Sequence, residues 1–400
     1  MSRYREVLAV PGMAVLLAVS LLARVAITAV VMALTLHVVL RLGLSYAAAG
    51  GVAAALTAGL ALGGPLLGRL LDRRGVRAVL LVTVVAQVVF WLSVPVLPYA
   101  VLLGAAAVAG LLMVPAQSVT RQAIAAMTTV TQRRPAFALE SVQGELSYMA
   151  GPAIVVLCAA QTSPGAVAWG VGAAIVAGAA GIAWLDPPLR TPDEAAAGGD
   201  GPPRRQWLGA GMVAVLTMAF GATALLSGLD IAIVATLRAA GQVPWAAVVM
   251  AVSGLASICG GLLYGAWSRP LPTWLLLGLL GLLTLPAGLA RDWRWLCVAV
   301  VGAGLLTAPT LTTMVDAMSR LAPVGVRGEA TGLLSTALSA GFALGSPLAG
   351  LAIDHAEPGA GFAASGLAAL AAALAGFLLS RRQAPRKVDG PRESRRPALK

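Results

Sequence analysis

The feature that most limits what this chain can become is a succession of twelve apolar runs, each about long enough to cross a bilayer. They cover roughly 11–39, 46–70, 77–97, 99–121, 136–160 and 164–185, then 208–238, 242–266, 271–290, 294–319, 328–354 and 359–380. Lipid offers the backbone no hydrogen-bond partner, so runs of this length predict helices. Of the 400 residues, 59% are hydrophobic and only 11% charged, where a soluble domain carries about 25% charged residues. The expectation is an all-α membrane protein of twelve transmembrane helices.

Between the two sets of six runs lies a polar stretch rich in Pro and Gly, 186–206. It contains Pro187-Pro188, Gly198-Gly199-Asp200-Gly201-Pro202-Pro203 and Arg204-Arg205, and reads as a flexible linker. The chain therefore divides into an N-terminal six-helix half (1–185), the linker (186–206), a C-terminal six-helix half (207–380) and a basic tail (381–400) of disordered composition. The halves echo one another. Gly64-Pro-Leu-Leu-Gly68 has a counterpart in Gly261-Leu-Leu-Tyr-Gly265, which Ser268-Arg269 follows, and Gly151-Pro152 has one in Ser346-Pro347. Both offsets are close to 195 residues.

Cations set the orientation. With the N-terminus inside, the inner segments hold Arg3, Arg5, Arg69, Arg73, Arg74, Arg77, Arg121, Arg133, Arg134, Arg190, Arg204, Arg205, Arg269, Arg320, Arg327 and the eight cations of the tail. The outer segments hold Arg41, Arg238, Arg291 and Arg294. Both termini and the linker are thus expected in the cytoplasm, with the chain a monomer in the plasma membrane. The net charge of +12 comes from residues that punctuate apolar segments rather than forming a stripe, so it does not predict nucleic-acid binding. Lysine occurs only at Lys387 and Lys400, which excludes a phosphate-binding loop of the Gly-x-x-x-x-Gly-Lys type. Cys158, Cys259 and Cys297 lack metal-ligand spacing, and His37 and His355 stand apart from any cluster. No metal or organic cofactor is implied. Short, arginine-rich loops also leave little room for a polytopic membrane enzyme.

The turn after the second run reads Gly64-Pro65-Leu66-Leu67-Gly68-Arg69-Leu70-Leu71-Asp72-Arg73-Arg74-Gly75-Val76-Arg77. So dense a knot of charge belongs at the water surface. Gly64 and Gly68 share one helix face and let another backbone approach, and Gly75 frees the chain to reverse. The pattern Gly68-x-Leu70-x-Asp72-Arg73-x-Gly75-x-Arg77 resembles the signature loop of the major facilitator superfamily (MFS), in the position between helices 2 and 3 where that family carries it. The resemblance implies two pseudo-symmetric six-helix bundles and alternating access. It also implies that helices 1, 4, 7 and 10 line a central cavity. Asp72 is expected to pair with a cation or cap a helix of the second half, latching the halves in one access state.

Ionisable residues inside a span are costly and so point to function. Arg24 (first span), Arg121 (fourth), Glu140 and Glu145 (fifth), Asp230 (seventh) and Asp316 (tenth) are the candidates. Arg24 and Glu145 lie at similar depths and are expected to approach each other, either as a structural staple or as a protonation switch. Asp230 is a candidate proton carrier or a recognition group for a cationic substrate. Gly144-x6-Gly151-Pro152 is similar to the start of the antiporter signature of drug exporters, but Ala153-Ile154-Val155-Val156 replaces its trailing glycines. An ordinary proline kink at Gly151-Pro152, with a small-residue contact, is the reading preferred. The function expected is proton-coupled efflux of a small, partly apolar molecule. A sugar or metabolite facilitator or symporter is the alternative, less favoured because Asn is absent and Gln sparse in the spans.

Overall fold

The computed structural model describes residues 2–191, 202–266, 271–323 and 325–381. The middle of the linker, Ser268-Arg269 and all but the first residue of the basic tail lie outside the described residues. Among the described residues the chain is helical throughout and carries no strand. Ten stretches of the described residues are long and apolar enough to cross a membrane, and Thr273–Leu289 is a shorter apolar one. The longest, Ala48–Val96, has 49 residues and counts twice, because Gly75 turns the chain there with φ 77°. This completes the twelve.

We number them α1 to α12 as follows. α1 is Met13–Leu36, ending in a π-helical turn, His37–Arg41. The helix Tyr46–Ser93 supplies α2 before Gly75 and α3 after it. α4 comprises Tyr99–Leu111 and Ala116–Met127. α5 is Val130–Ala159 and α6 Pro164–Leu185. The second set is α7 (Ala210–Ala239), α8 (Ala246–Ala266), α9 (Thr273–Thr284 with a 3₁₀ turn to Leu289), α10 (Trp293–Leu321), α11 (Arg327–His355) and α12 (Pro358–Arg381). A short helix, Ser2–Leu8, precedes α1, and one turn, Arg204–Trp207, precedes α7.

Local chemistry explains the helix starts. The Ser163 hydroxyl accepts Ala166 N–H, and the Asp292 carboxylate accepts Trp295 N–H, each satisfying an orphan donor of a first turn. Thr129 and Gln132 form a capping box before α5. Large apolar side chains such as Leu81, Val89, Trp184, Leu289 and Trp295 lie exposed on the outside of the bundle, as suits a lipid solvent.

The packing follows the duplication. In the first half α1 packs on α5 and α6, α2 on α4, and α3 on α6. In the second, α7 packs on α11 and α12, α8 on α10, and α9 on α12. Between halves, α2 meets α11 and α5 meets α8, which are again equivalent pairs. Among the described residues, the hydrogen bonds that join the halves lie toward the arginine-rich end, the end bearing the Asp72 turn, and reach no further than mid-bundle. The short N-terminal helix seals that end from below. Tyr4 donates to Leu262 O of α8 at 2.5 Å, and Val7 is fully buried in a core shared by both halves.

Candidate functional site

At the arginine-rich end the halves touch backbone to backbone. A Cβ on Gly68 would stand 2.0 Å from Gly328 O, and one on Gly332 would stand 2.1 Å from Gly64 O. Glycine is required at this close approach because any side chain would collide with main chain. Thr336 of α11 adds a hydrogen bond to Ala61 O at 2.7 Å. Of the equivalent glycines of α8, Gly265 packs against Ala138 of α5 and the hydroxyl of Tyr4, while Gly261 lies nearest Ala308 of α10.

Asp72 ends this contact. Its Oδ1 accepts Gly328 N–H at 2.7 Å and its Oδ2 accepts Glu329 N–H at 2.9 Å, so it caps the N-terminus of α11. Of the two roles expected for its carboxylate, the geometry selects the cap, where orphan N–H groups and the helix dipole favour an anion. Glu329, buried, pairs with Arg204 and lies 3.7 Å from Arg69. Arg190 donates to Asp72 O at 3.0 Å, and Arg77 pairs with Asp186 at 3.2 Å. The start of the linker is therefore tied to the turn and its end, through Arg204, to Glu329 of α11, although composition alone suggested a flexible segment. Arg73 is exposed. We expect Asp72→Asn to weaken closure of this end. The amide's NH₂ repels one of the two N–H donors, a loss of about 1.5–3 kcal/mol for a charge-assisted bond. Solvent labelling of a cysteine placed in this interface checks it, and unchanged accessibility would contradict the latch.

Deeper in the first half the structure corrects one expected pair. Arg24 does not pair with Glu145; it pairs with Glu140, which is 1% exposed. The reason is helical phase. Glu140 and Gly144 are one turn apart on the α5 face toward α1, and Gly144 leaves room for the guanidinium, whose Nη2 would sit 2.8 Å from an added Cβ. Arg121 of α4 brings a second guanidinium, its Nε 3.4 Å from the same Glu140 oxygen. Gln117, with its amide oxygen toward the cations, accepts from Arg24 at 3.3 Å and Arg121 at 2.9 Å. Two buried cations thus share one carboxylate. Ser20 with Thr120 (2.7 Å), and Gln143 donating to Leu17 O (2.7 Å), fasten α1 to α4 and α5 around the cluster.

Glu145 instead faces the second half. It accepts the Ser257 hydroxyl of α8 at 2.7 Å, while the charge of Arg24 still reaches it. Its own charge reaches Asp230 of α7, which is exposed. Tyr148, one turn further along α5, stacks on Phe342 of α11 with ring centres 6.4 Å apart. An acid and an aromatic side chain of α5 thus both meet the second half at mid-bundle. Gly151 of α5 packs against Val25 O and Thr28 of α1, with Pro152 inside the helix, so this kink belongs to the α1–α5 contact. Its counterpart is Ser346 of α11, bonded to Ser227 of α7. Asp316 pairs with Arg320 one turn on, at 2.9 Å.

Sequence reasoning did not single out Gln117, Ser257, Tyr148, Phe342 or Glu329. Gln117 was accessible by its spacing, one turn before Arg121. Ser257 carries no local signal, since serine in an apolar helix ordinarily bonds its own backbone.

No curated protein matches the chain. Among solved structures, the human organic anion transporter MFSD10 (TETRAN) superposes with TM-score 0.71 at 18% identity, covering 94% of this chain and 99% of that one. A bacterial homologue of the iron transporter ferroportin, in an outward-facing state, gives 0.73 at 14% identity over 92% and 99%. The MFS transporter FucP, in an outward conformation, gives 0.69 at 12% identity over 92% and 98%. These likenesses concern the fold. A sequence profile described as Major Facilitator Superfamily matches residues 16–290 and 211–400, nearly the whole chain. Duplicated bundle, glycine-lined α2–α11 contact, capped signature turn and matching profile agree: this chain belongs to the Major Facilitator Superfamily of membrane transporters.

Proposed function

We propose that the protein is a proton-coupled exporter of a small, partly apolar molecule, working by alternating access. The observation that carries this reading is Glu145, a mid-bundle acid of the first half bonded to Ser257 of the second, one turn from the Tyr148–Phe342 stack, with Asp230 on α7 as the second acid. An acid enclosed between the halves, as Glu145 is, can bind and release a proton, and a flat aromatic pair suits an apolar body. The closed arginine-rich end makes this the outward-open state if that end is cytoplasmic. A carrier exchanging protons for substrate would take its proton from the far side in this state. The same two acids favour a cationic head group on the substrate. Organic anions are a second reading, supported by the excess cation of the Arg24–Glu140–Arg121 cluster and by the anion transporter among the structural neighbours.

Proteoliposomes under an imposed pH gradient, with panels of lipophilic cations and anions, test this. Gradient-driven transport of a cation should fall at least about tenfold in Glu145→Gln or Asp230→Asn, a loss worth about 1.4 kcal/mol. Transport with unaltered pH dependence in both variants would remove the proton-coupled reading. Transport of anions alone would favour the second.

A further inference from the structure

Ser257 is 2% exposed, in the middle of α8, and donates its hydroxyl hydrogen to Glu145 at 2.7 Å across the boundary between halves. Several hydrogen bonds cross that boundary. Ser141 with Thr312, Thr336 with Ala61 O, and Tyr4 with Leu262 O join neutral groups. Asp72 meets backbone N–H groups at the surface. Among the described residues, the Glu145–Ser257 bond is the one inside the bundle that ends on a side-chain carboxylate. It is also the inter-half hydrogen bond nearest the middle of the bundle, since Glu145 lies about 22 Å along α5 from Val130.

We propose that Ser257 is a positioning residue that converts protonation of Glu145 into separation of the halves. This inference rests on the proton-coupled reading above. The ionised carboxylate holds the hydroxyl in a charge-assisted bond and so ties α5 to α8. A proton arriving from the open side adds to a carboxylate oxygen and cancels the charge. The hydroxyl then loses its charged acceptor and can turn to the Ser253 carbonyl, one turn back in its own helix. No covalent bond other than the O–H on Glu145 is made, and what joins α5 to α8 is then packing, such as Gly265 against Ala138, and Arg134 over the Tyr264 ring, both toward the arginine-rich end.

The groups around Glu145 leave it this role. Arg24 of α1 faces it but is engaged by Glu140, which also holds Arg121 of α4. Asp230 faces it from α7. On its own helix, Tyr148 is the nearest titratable side chain beyond it. Asp316 of α10 is held by Arg320, and Glu329 of α11 by Arg204 and Arg69, all toward the arginine-rich end. Asp186, after α6, pairs with Arg77 there. The short helix under α5 carries Arg3, Arg5 and Glu6 at that same end. Among its described residues, α8 itself offers Ser257 and no charged side chain.

Spin labels at Thr131→Cys and Leu271→Cys, on a background without the native cysteines, report the spacing of α5 and the α8–α9 corner in the full chain. Acidification should lengthen the distance in the parent. Ser257→Ala should raise the long-distance population at neutral pH by about tenfold, as expected for losing a bond to a charged group, and should remove most of the pH response. Ser257→Thr keeps the hydroxyl and should restore both. A Ser257→Ala protein with the parent's pH response overturns the proposal. If the parent ignores pH, the proton-coupled reading fails; the neutral-pH distance of Ser257→Ala then decides, and an unchanged one removes Ser257 as a joint as well.

Discussion

Glu140→Gln is expected to be the most damaging single substitution in the transmembrane region. It leaves Arg24 and Arg121, 11% and 7% exposed at their side chains, facing a neutral amide. Removing one partner of a buried charge cluster costs about 3–5 kcal/mol, because the remaining charge has no counter-ion and no water. Two such charges remain here, so the upper end of that range is the better expectation. The effect should appear as a large drop in thermal stability of the purified protein in detergent. Replacing Arg24 as well, in Arg24→Gln/Glu140→Gln, should recover part of the loss by removing one of the stranded cations. A Glu140→Gln protein as stable as the parent would show that the cluster is open to water, contrary to its burial.

Gly68→Ala is expected to act on the shape of the molecule rather than its stability. The added methyl would lie 2.0 Å from Gly328 O and 2.5 Å from its carbon, both main chain, and neither can turn aside as a side chain would. The α2–α11 contact must separate by an ångström or more, which also pulls Asp72 from the two N–H groups it caps. The first half itself is undisturbed, since the clash lies wholly across the boundary. The variant should therefore fold, but leave the arginine-rich end open. Cysteine labelling at that end should rise severalfold, and transport should nearly stop for want of the closed state. Gly332→Ala, 2.1 Å from Gly64 O, should reproduce the effect. Normal turnover in both would mean that this contact is not part of the working cycle.

Much of the architecture was legible because lipid enforces it. The length of each apolar run fixed the number of helices, and arginine-rich turns marked their ends. Helix limits moved by only a few residues, most at the end of α4, which runs on to Met127, and at the start of α5, which begins at Val130 because Thr129 and Gln132 supply a capping box among polar residues that an apolar count passes over. Gly64 and Gly68 announced a close contact, but not its partner, since nothing in α2 refers to Gly328 or Gly332. The site was less legible. Arg24 was identified as costly in lipid, yet similar depth suggested Glu145, while the phase of α5 and the space at Gly144 select Glu140. Pairing across the bundle depends on helix rotation, which apolar patterning leaves almost undefined when all faces are greasy. The α8 serine that meets Glu145 was beyond reach for the same reason.

The seam between α2 and α11 has a further consequence for leakage. Where bare peptide rests on bare peptide, no flexible side chain can stretch to fill a partial gap. Small rocking motions cannot be absorbed gradually, so the seal either seats fully or parts fully. A carrier built this way has little opportunity to be ajar at both ends at once, and ions gain no continuous path through it.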